Sequence, residues 1–346
     1  MGNYAADNLN IGGQQLKGVQ FGIGLRSGSP EGILGIGYTS NEVQVNRNSK
    51  QAYPNVPQFM ADNGLIKSNA YSLWLDDLEA NTGSILFGGV DTDKFHGTLG
   101  SLPVQKMFGG FNEFLMTLSG VSTTFNGKNQ TLSQDLPTPV LLDSGSSLTY
   151  LPNNLINALY GAWNVQYDKQ QQVAIVDCNL ANSQDTVDFT FSSPKISVPA
   201  SELVIPAGTD QQGNIICIFG INPADGRTPV LGDTFIRSAY VVYDLGNNEI
   251  SLAQTNFNAT TSHVLEIGTG NNAVPSASAV SNPVQATASG TGGARIAPVT
   301  VTATGTGSSS TSKPTSSNKS AAISSRHVSY VALFGITCIA AARAFA

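Results

Sequence analysis

Charged side chains are scarce in this sequence. Lysine and arginine number 17, and aspartate and glutamate number 23, so charged residues are 12% of the 346 residues. That share is about half of the roughly 25% usual in globular proteins. No basic run occurs, which argues against nucleic acid as a partner. In acid, where carboxylates are neutral, few positive charges remain to repel one another, so the composition predicts tolerance of low pH.

Histidine and cysteine are scarce as well, with three residues of each. The histidines, His96, His263 and His327, accompany no recognisable serine nucleophile, and no Cys-x-x-Cys pair occurs. This pattern argues against serine catalysis and against a metal site. We therefore expect neither a metal nor another cofactor.

The residues that are abundant indicate a β-rich globular protein. Apolar residues make up 40% of the chain, enough to fill a sizeable core. Glycine, serine, threonine and asparagine are frequent, a balance typical of secreted β-rich proteins rather than of helical cytosolic ones.

One stretch delivers a carboxylate from an apolar run into a turn of hydroxyl residues. It reads Leu-Leu-Asp-Ser-Gly-Ser-Ser-Leu-Thr-Tyr-Leu-Pro over residues 141–152, with the acid at Asp143. Backbone N–H groups and hydroxyls in such a turn can fix the orientation and protonation of the carboxyl group. Asp-Ser-Gly alone is also an ordinary turn sequence, because Asp and Ser bond their own backbone and Gly accepts positive φ.

The longer sequence around Asp143 is more specific than Asp-Ser-Gly alone. Residues 141–152 resemble the active-site signature of the pepsin-like aspartic proteases, Asp-Thr/Ser-Gly-Ser/Thr-Ser. Residues 229–244, which begin Pro-Val-Leu-Gly-Asp-Thr-Phe, resemble that family's second C-lobe motif. There the apolar pair and Gly232 form a strand that cradles the Asp loop. The neighbouring Asp233 is expected to be a buried structural acid rather than a reacting group.

The resemblance implies a chemistry and a set of site residues. Two carboxylates that face one water cannot both ionise, so the ionised one takes a proton from water while the neutral one polarises the peptide carbonyl. Asp143 would be one catalytic carboxylate, and Gly145, Ser146 and Ser147 would hold it and reach the substrate backbone. The substrates would be proteins or peptides, and the protein would be a monomer. The family also implies a disulfide between Cys178 and Cys217, with two buried thiols as the alternative; closing a loop of about 40 residues stabilises by roughly 3–4 kcal/mol.

The N-terminal part resembles only the second half of the family's first lobe. Residues 30–38, Pro-Glu-Gly-Ile-Leu-Gly-Ile-Gly-Tyr, resemble the N-lobe counterpart of the Gly232 cradle. No Asp-Thr-Gly or Asp-Ser-Gly precedes Asp143. By the spacing of the second lobe, the first Asp would lie about 54 positions ahead of Met1. We expect an incomplete N-terminal lobe without the first catalytic Asp or the flap, no secretory signal in the sequence as given, and no activity of this chain alone.

The expected fold is all-β: a bilobal pepsin-like acid protease fold with an incomplete N-terminal lobe, followed by a disordered Ser/Thr-rich tail. A hairpin is predicted near Gly12 and Gly13, and short helices are predicted after Pro57 and Asn153. Asp76 and Asp77 are read as an exposed acidic turn. The domain boundaries are residues 1–104 for the first lobe, 105–257 for the lobe with Asp143, 258–320 for a stalk and 321–346 for an anchor signal.

The C-terminal region predicts a cell-surface location. Residues 258–320 are rich in Ser, Thr, Gly and Ala, which suits a glycosylated stalk that buries no core. Small residues, a polar spacer and an apolar end over residues 316–346 match a glycosylphosphatidylinositol (GPI) anchor signal; a transmembrane tail is the alternative. The GPI anchor would hold the protein at the membrane or cell wall. Three sequons are glycosylation candidates: Asn129, Asn258 and Asn318.

Two functions from different classes fit the sequence. The first is a GPI-anchored aspartic endopeptidase that acts in acid. The second is a non-catalytic cell-surface or wall protein that uses the pepsin-like lobe as a binding or structural module. We favour the first for the natural gene. A second Asp-Thr-Gly or Asp-Ser-Gly encoded in frame upstream of Met1 would support the enzyme, and its absence would support the non-catalytic protein.

Overall fold

The computed structural model describes residues 2–26, 32–48, 51–80 and 82–286. The described part is mostly β-sheet with a few short helices. The elements before residue 104 are β1 (Gly2–Ile11), β2 (Gln14–Gly24), α1 (Val43–Asn48), α2 (Val56–Asp62), β3 (Ala70–Trp74), β4 (Ser84–Phe87), β5 (Gly89–Asp91) and β6 (Phe95–Pro103).

The elements after residue 104 form the larger part of the molecule. They are β7 (Leu115–Leu118), β8 (Gly120–Phe125), β9 (Lys128–Leu132), β10 (Thr138–Leu142), β11 (Thr149–Leu151), α3 (Asn153–Trp163), β12 (Gln166–Asp168), β13 (Val173–Val176), β14 (Thr186–Thr190), β15 (Lys195–Pro199), α4 (Ala200–Leu203), β16 (Val204–Thr209), β17 (Ile215–Phe219), β18 (Ile221–Pro223), β19 (Val230–Leu231), α5 (Asp233–Ile236), β20 (Ala239–Asp244), β21 (Glu249–Thr255), β22 (Val264–Glu266) and β23 (Ala277–Ala279).

The predicted hairpin and both predicted helices are confirmed. Strands β1 and β2 pair as an antiparallel hairpin whose turn residues Gly12 and Gly13 both have positive φ, a conformation that glycine adopts without strain. Helix α2 begins after Asn55, whose side chain accepts a hydrogen bond from the N–H of Gln58. Helix α3 buries one face, and its apolar residues recur at helical spacing: Leu155, Ile156, Leu159, Tyr160 and Trp163.

A six-stranded sheet joins the two halves of the chain. Its strand order is β23-β6-β21-β20-β3-β4, so it contains strands from both sides of residue 104. Strand β20 pairs with β3 on one side, with Val241 opposite Leu73, and with β21 on the other. The first and second predicted lobes therefore share a central sheet.

A five-stranded sheet positions the Asp-Ser-Gly segment. Its order is β18-β11-β19-β10-β7, and β10 runs parallel to β19 with Leu141 opposite Val230 and Leu142 opposite Leu231. Strands β10 and β19 are far apart in sequence, and their parallel pairing places the end of β10 next to the start of α5. The two C-lobe motifs that are separate in sequence thus meet at one edge.

Residues 256–286 correct the predicted start of the stalk at residue 258. This segment forms β22, which pairs with β5, and β23, which runs parallel to β6. Ile267 and Val274 are buried against Trp74, Phe95 and Tyr240 of the six-stranded sheet. The composition misleads here because the six-stranded sheet already presents an apolar face. A segment needs only a few apolar residues to pack against such a face. Residues beyond 286, with the predicted anchor signal, Asn318 and Cys338, lie outside the described part.

Two further predictions are decided by the structure. The disulfide between Cys178 and Cys217 is confirmed, with an S–S distance of 2.04 Å. The exposed acidic turn is wrong for Asp76, which is 6% exposed and accepts a hydrogen bond from the N–H of Asn258 at 2.7 Å. The covering residue lies 182 positions away, so no local pattern reveals it.

Within the described ranges, no helix combines the length and apolar character needed to cross a membrane.

Candidate active site

Asp143 lies directly after β10, where the five-stranded sheet ends. Its backbone N–H donates to the carbonyl of Leu231 at 3.1 Å, which continues the parallel pairing with β19 by one step. The carboxylate accepts two hydrogen bonds, from the N–H of Gly145 to Oδ1 at 2.9 Å and from the hydroxyl of Ser146 to Oδ2 at 2.8 Å. The side chain is partly exposed. One carboxylate is therefore fixed by donors on both oxygens and still reachable from solvent.

The three residues predicted to bind substrate have different surroundings. Gly145 is exposed, and a Cβ at this position would lie 3.1 Å from Asp143 Oδ1, so glycine gives the N–H its close approach. Ser146 is 4% exposed and points inward to Asp143. Ser147 is half-buried, and its carbonyl accepts from the N–H of Thr234 at 3.4 Å. Ser146 therefore binds Asp143, whereas Gly145 lies on the exposed side of the turn.

The loop of residues 143–148, here called the Asp143 loop, rests on Val230, Leu231 and Gly232, here called the C-terminal cradle. Val230 and Leu231 are 6% and 0% exposed. A Cβ on Gly232 would lie 2.2 Å from the carbonyl oxygen of Ser146 and 2.3 Å from that of Leu148. Only glycine allows backbone to pack on backbone this closely. The predicted cradle is therefore present and tightly packed.

Asp233, the first residue of α5, is buried beside this loop, at 7% exposure. Its backbone N–H donates to the carbonyl of Ser146 at 2.8 Å. Burial raises the pKa of its carboxyl from an ordinary 3.8 to about 7, and the nearby charge of Asp143 adds to the rise, while Arg237 opposes it. The buried acid anticipated from the sequence is thus electrostatically linked to Asp143.

A buried ion pair links the residue after α5 to α4, and no local sequence pattern predicts it. The guanidinium of Arg237 binds the carboxylate of Glu202 from α4, and its Nη2 donates to the carbonyl of Glu202 at 2.7 Å. Both side chains are 3% exposed. Burial raises the pKa of Glu202, and Arg237 partly offsets this rise. Glu202 also accepts from the N–H of Leu78 at 3.0 Å, which ties the first half of the chain to the second.

An aromatic cluster packs against the strands that carry the site. The ring of Tyr243 lies 5.0 Å from that of Tyr71 and 4.6 Å from that of Phe114. Phe114 also packs 5.3 Å from Tyr38. Burial raises the pKa of Tyr243, and Asp143 and Asp233 add to the rise. These rings join residues from both halves of the chain close to the two acids.

The N-terminal counterpart of the cradle is arranged differently. Ile33, Leu34 and Gly35, here called the N-terminal cradle, belong to no strand, and Ile33 and Leu34 are 77% and 53% exposed. A Cβ on Gly35 would meet nothing within 4 Å. Among the described residues no segment pairs with this stretch. The sequence likeness between the two cradles is therefore not matched by a likeness in packing.

Two of the glycosylation candidates are described, and both are exposed. The side-chain oxygen of Asn129 accepts from the hydroxyl of Thr124 at 2.7 Å. The side-chain nitrogen of Asn258 donates to the carboxylate of Asp77 at 2.7 Å.

A cavity of about 570 Å³ lies between residues 278–281 and the Ser193–Lys195 turn, and none of its lining residues belongs to the Asp143 loop.

Comparison with known proteins identifies the family. The family model for eukaryotic aspartyl proteases matches residues 1–255. The chain belongs to this family, as its motifs led us to expect. The match ends where β21 ends, so residues 256–286 lie beyond the matched region.

Fungal proteases are among the similar curated proteins. A probable aspartic-type endopeptidase, opsB of Aspergillus oryzae, is 55% identical over 299 residues, which are 85% of this chain and 61% of that protein. Aspartic proteinase 3 of Saccharomyces cerevisiae is 35% identical, covering 80% and 49%, respectively. Secreted aspartic protease 3 of Candida albicans is 40% identical, covering 74% and 60%. The chain spans about half to three-fifths of the length of these relatives.

A solved structure confirms the predicted fold. The aspartic proteinase from Irpex lacteus superposes with a TM-score of 0.61 at 20% identity, over 75% of this chain and 79% of that one. The mostly-β architecture expected from the sequence is the pepsin-like fold.

Proposed function

We propose that this chain supplies one half of the catalytic site of an aspartic-type endopeptidase that hydrolyses peptide bonds in acid. The observation that carries the proposal is the setting of Asp143: a carboxylate that is partly exposed, held by Gly145 and Ser146, and seated on a glycine-dependent cradle. The names of the relatives, which are aspartic-type endopeptidases and proteinases, support the same activity.

In this reaction, an ionised carboxylate removes a proton from the attacking water while a neutral carboxyl polarises the scissile carbonyl. Asp143 has the two fixed donors needed to hold one of these groups still. Gly145 and Ser147 would face the substrate backbone, and Ser146 would act through Asp143. The substrates would be proteins or peptides.

The second carboxylate has to come from a strand that carries another Asp-Ser/Thr-Gly, and these 346 residues contain only one such motif. The N-terminal cradle is the place where such a strand would pair. In the C-terminal lobe, the strand that leads to Asp143 pairs in this way, with Leu141 opposite Val230 and Leu142 opposite Leu231. The exposed side chains of Ile33 and Leu34 have the apolar character that such a strand would bury.

The relatives and the C-terminal sequence support an extracellular or cell-surface location. One relative is named a secreted aspartic protease, and residues 316–346 have the composition of a GPI-anchor signal. We further propose that the protein is a monomer that carries N-linked glycans and is held by a GPI anchor. Release of the protein from intact cells by a phosphatidylinositol-specific phospholipase is the expected outcome, and retention after that treatment would contradict the anchor.

The decisive experiment starts from the transcript. We expect the reading frame to continue upstream and to encode a second Asp-Ser/Thr-Gly, and we expect the protein from that frame to cleave peptides at acid pH in a pepstatin-sensitive manner. Asp143→Asn in the same frame should abolish cleavage without unfolding the protein. A frame with no second motif, together with no cleavage, would overturn the proposal.

The second candidate is a non-catalytic cell-surface or wall protein with a pepsin-like lobe. The single Asp-Ser-Gly is the observation that favours it. In that case the 346-residue chain should fold alone and bind peptides without hydrolysing them, and Asp143→Asn should leave binding unchanged.

A further inference from the structure

Asp233 and the Asp143 loop are joined through one serine. The carbonyl of Ser146 accepts from the N–H of Asp233 at 2.8 Å, and the hydroxyl of the same serine donates to Asp143 Oδ2 at 2.8 Å. The next N–H of α5, from Thr234, reaches the carbonyl of Ser147. The start of α5 is therefore hydrogen-bonded to the residue that holds Asp143.

The carboxyl group of Asp233 is enclosed where an ionised form would be poorly solvated. The residue is 7% exposed, and its Oδ1 has no hydrogen-bond partner among the described residues. Beside it, Gly232 leaves no space between the cradle and the loop. A buried carboxylate that lacks donors is costly, so this setting favours the neutral carboxyl.

The charged and titratable groups around Asp233 come from four elements. Arg237, directly after α5, is cationic, but it is already paired with Glu202 of α4. The loop after β10 contributes the carboxylate of Asp143. Strand β20 contributes the hydroxyl of Tyr243, whose pKa is raised by burial and further by both aspartates. Only Arg237 favours an ionised Asp233, whereas burial and Asp143 oppose it.

We propose that Asp233 is a positioning residue that seats the Asp143 loop only while its carboxyl is neutral, so that the loop is firmly held in acid and loosens as the pH approaches neutrality. On ionisation, the proton leaves to solvent and a second negative charge faces Asp143 across Ser146. The proposal rests on the proposed function only for the role of the loop; the packing and its pH dependence do not require that the chain be an enzyme.

The direction of the pH effect follows from proton linkage. The pKa of Asp233 is about 7 in the folded protein against an ordinary 3.8, so between these values the folded state binds more protons than the unfolded state. The contribution to stability is therefore complete below about pH 4 and is lost progressively as the pH rises to about 7. Glu202, whose pKa is also raised, contributes in the same direction.

The test compares the full chain with its Asp233→Asn variant, whose side chain has the same shape and no charge at any pH. Protection of the Ser146 and Thr149 amides against hydrogen exchange, corrected for the intrinsic rate, is measured from pH 4 to 8 together with thermal unfolding. In the wild type we expect protection to fall with pH, by up to about tenfold per unit for the single proton of Asp233. In Asp233→Asn this component should be absent.

Asp188→Asn is the matched control. Asp188 is also a buried acid, but it lies on β14 and pairs with Lys195. This variant should keep the wild-type pH dependence at Ser146 and Thr149. If Asp233→Asn keeps it too, or if Asp188→Asn loses it equally, the proposal is overturned.

A direct titration keeps the proposal testable if Asp233→Asn does not fold. The side-chain carboxyl carbons of the wild-type chain are followed by NMR after selective aspartate labelling. A midpoint near 7 for Asp233 supports the proposal, and a midpoint near 4 contradicts it. Absence of peptidase activity would count against the proposed function but would change none of these readouts.

Discussion

The two cradles of this chain have nearly the same local sequence and opposite environments. Ile33-Leu34-Gly35 and Val230-Leu231-Gly232 each place two apolar residues before a glycine. Leu34 is 53% exposed, whereas Leu231 is completely buried beneath β10 and the Asp143 loop. The difference lies in the partner strand, because a short apolar segment is buried only when another element covers it. A local motif therefore marks where a strand can pair, and its partner decides whether a site forms.

The largest expected effect comes from removing the cradle leucine. Leu231→Ala should lower the free energy of unfolding by about 2–5 kcal/mol, since it empties a fully buried position. Leu34→Ala makes the same chemical change at an exposed position and should cost less than about 1 kcal/mol. Equilibrium unfolding in denaturant measures both values. Equal losses would mean that the N-terminal cradle is covered in solution.

A smaller effect is expected from filling the cradle glycine. Gly232→Ala would drive a Cβ into two backbone carbonyl oxygens, so we expect a loss near the upper end of about 1–3 kcal/mol, with displacement of the Asp143 loop. Gly35→Ala meets only open space and should change stability by less than about 0.5 kcal/mol. Thermal unfolding of the two variants gives the comparison. A tolerated Gly232→Ala would contradict the close packing of the loop on the cradle.

The smallest effect contrasts two buried tyrosine hydroxyls. Tyr160→Phe, on α3, removes a donor to the carbonyl of Ile221 at 2.8 Å and should cost about 1 kcal/mol. The hydroxyl oxygen of Tyr38, which follows the N-terminal cradle, is buried without a partner among the described residues. Tyr38→Phe should therefore be neutral or slightly stabilising. A loss at Tyr38 as large as that at Tyr160 would show that a group outside the described part binds this hydroxyl.

Much of the site can be predicted from the sequence because its parts are local. The apolar run before Asp143, the glycine after it and the glycine of the C-terminal cradle each satisfy a short-range requirement of strand or turn geometry. The helix after Asn55 likewise follows from its N-cap, the helix after Pro152 from the spacing of its apolar residues, and the hairpin at Gly12 from its turn glycines.

Other features depend on contacts between distant residues, and no local pattern shows them. The pair of Glu202 and Arg237 joins residues 35 positions apart, and Asp76 is buried by Asn258. Residues 256–286 read as a low-complexity stalk, but they fold because the six-stranded sheet offers an apolar face to cover. In each case the missing information is the identity of the neighbour.

The sequence by itself determined the pepsin-like family, the position of Asp143 and the residues that turn the chain around it, because these rest on backbone geometry that a few consecutive residues impose. Only the tertiary structure decided which of the two cradles is covered and which acids face each other. Burial and electrostatic coupling are properties of neighbours in space, and Asp143 and Asp233, far apart in the chain, become neighbours only when β10 pairs with β19.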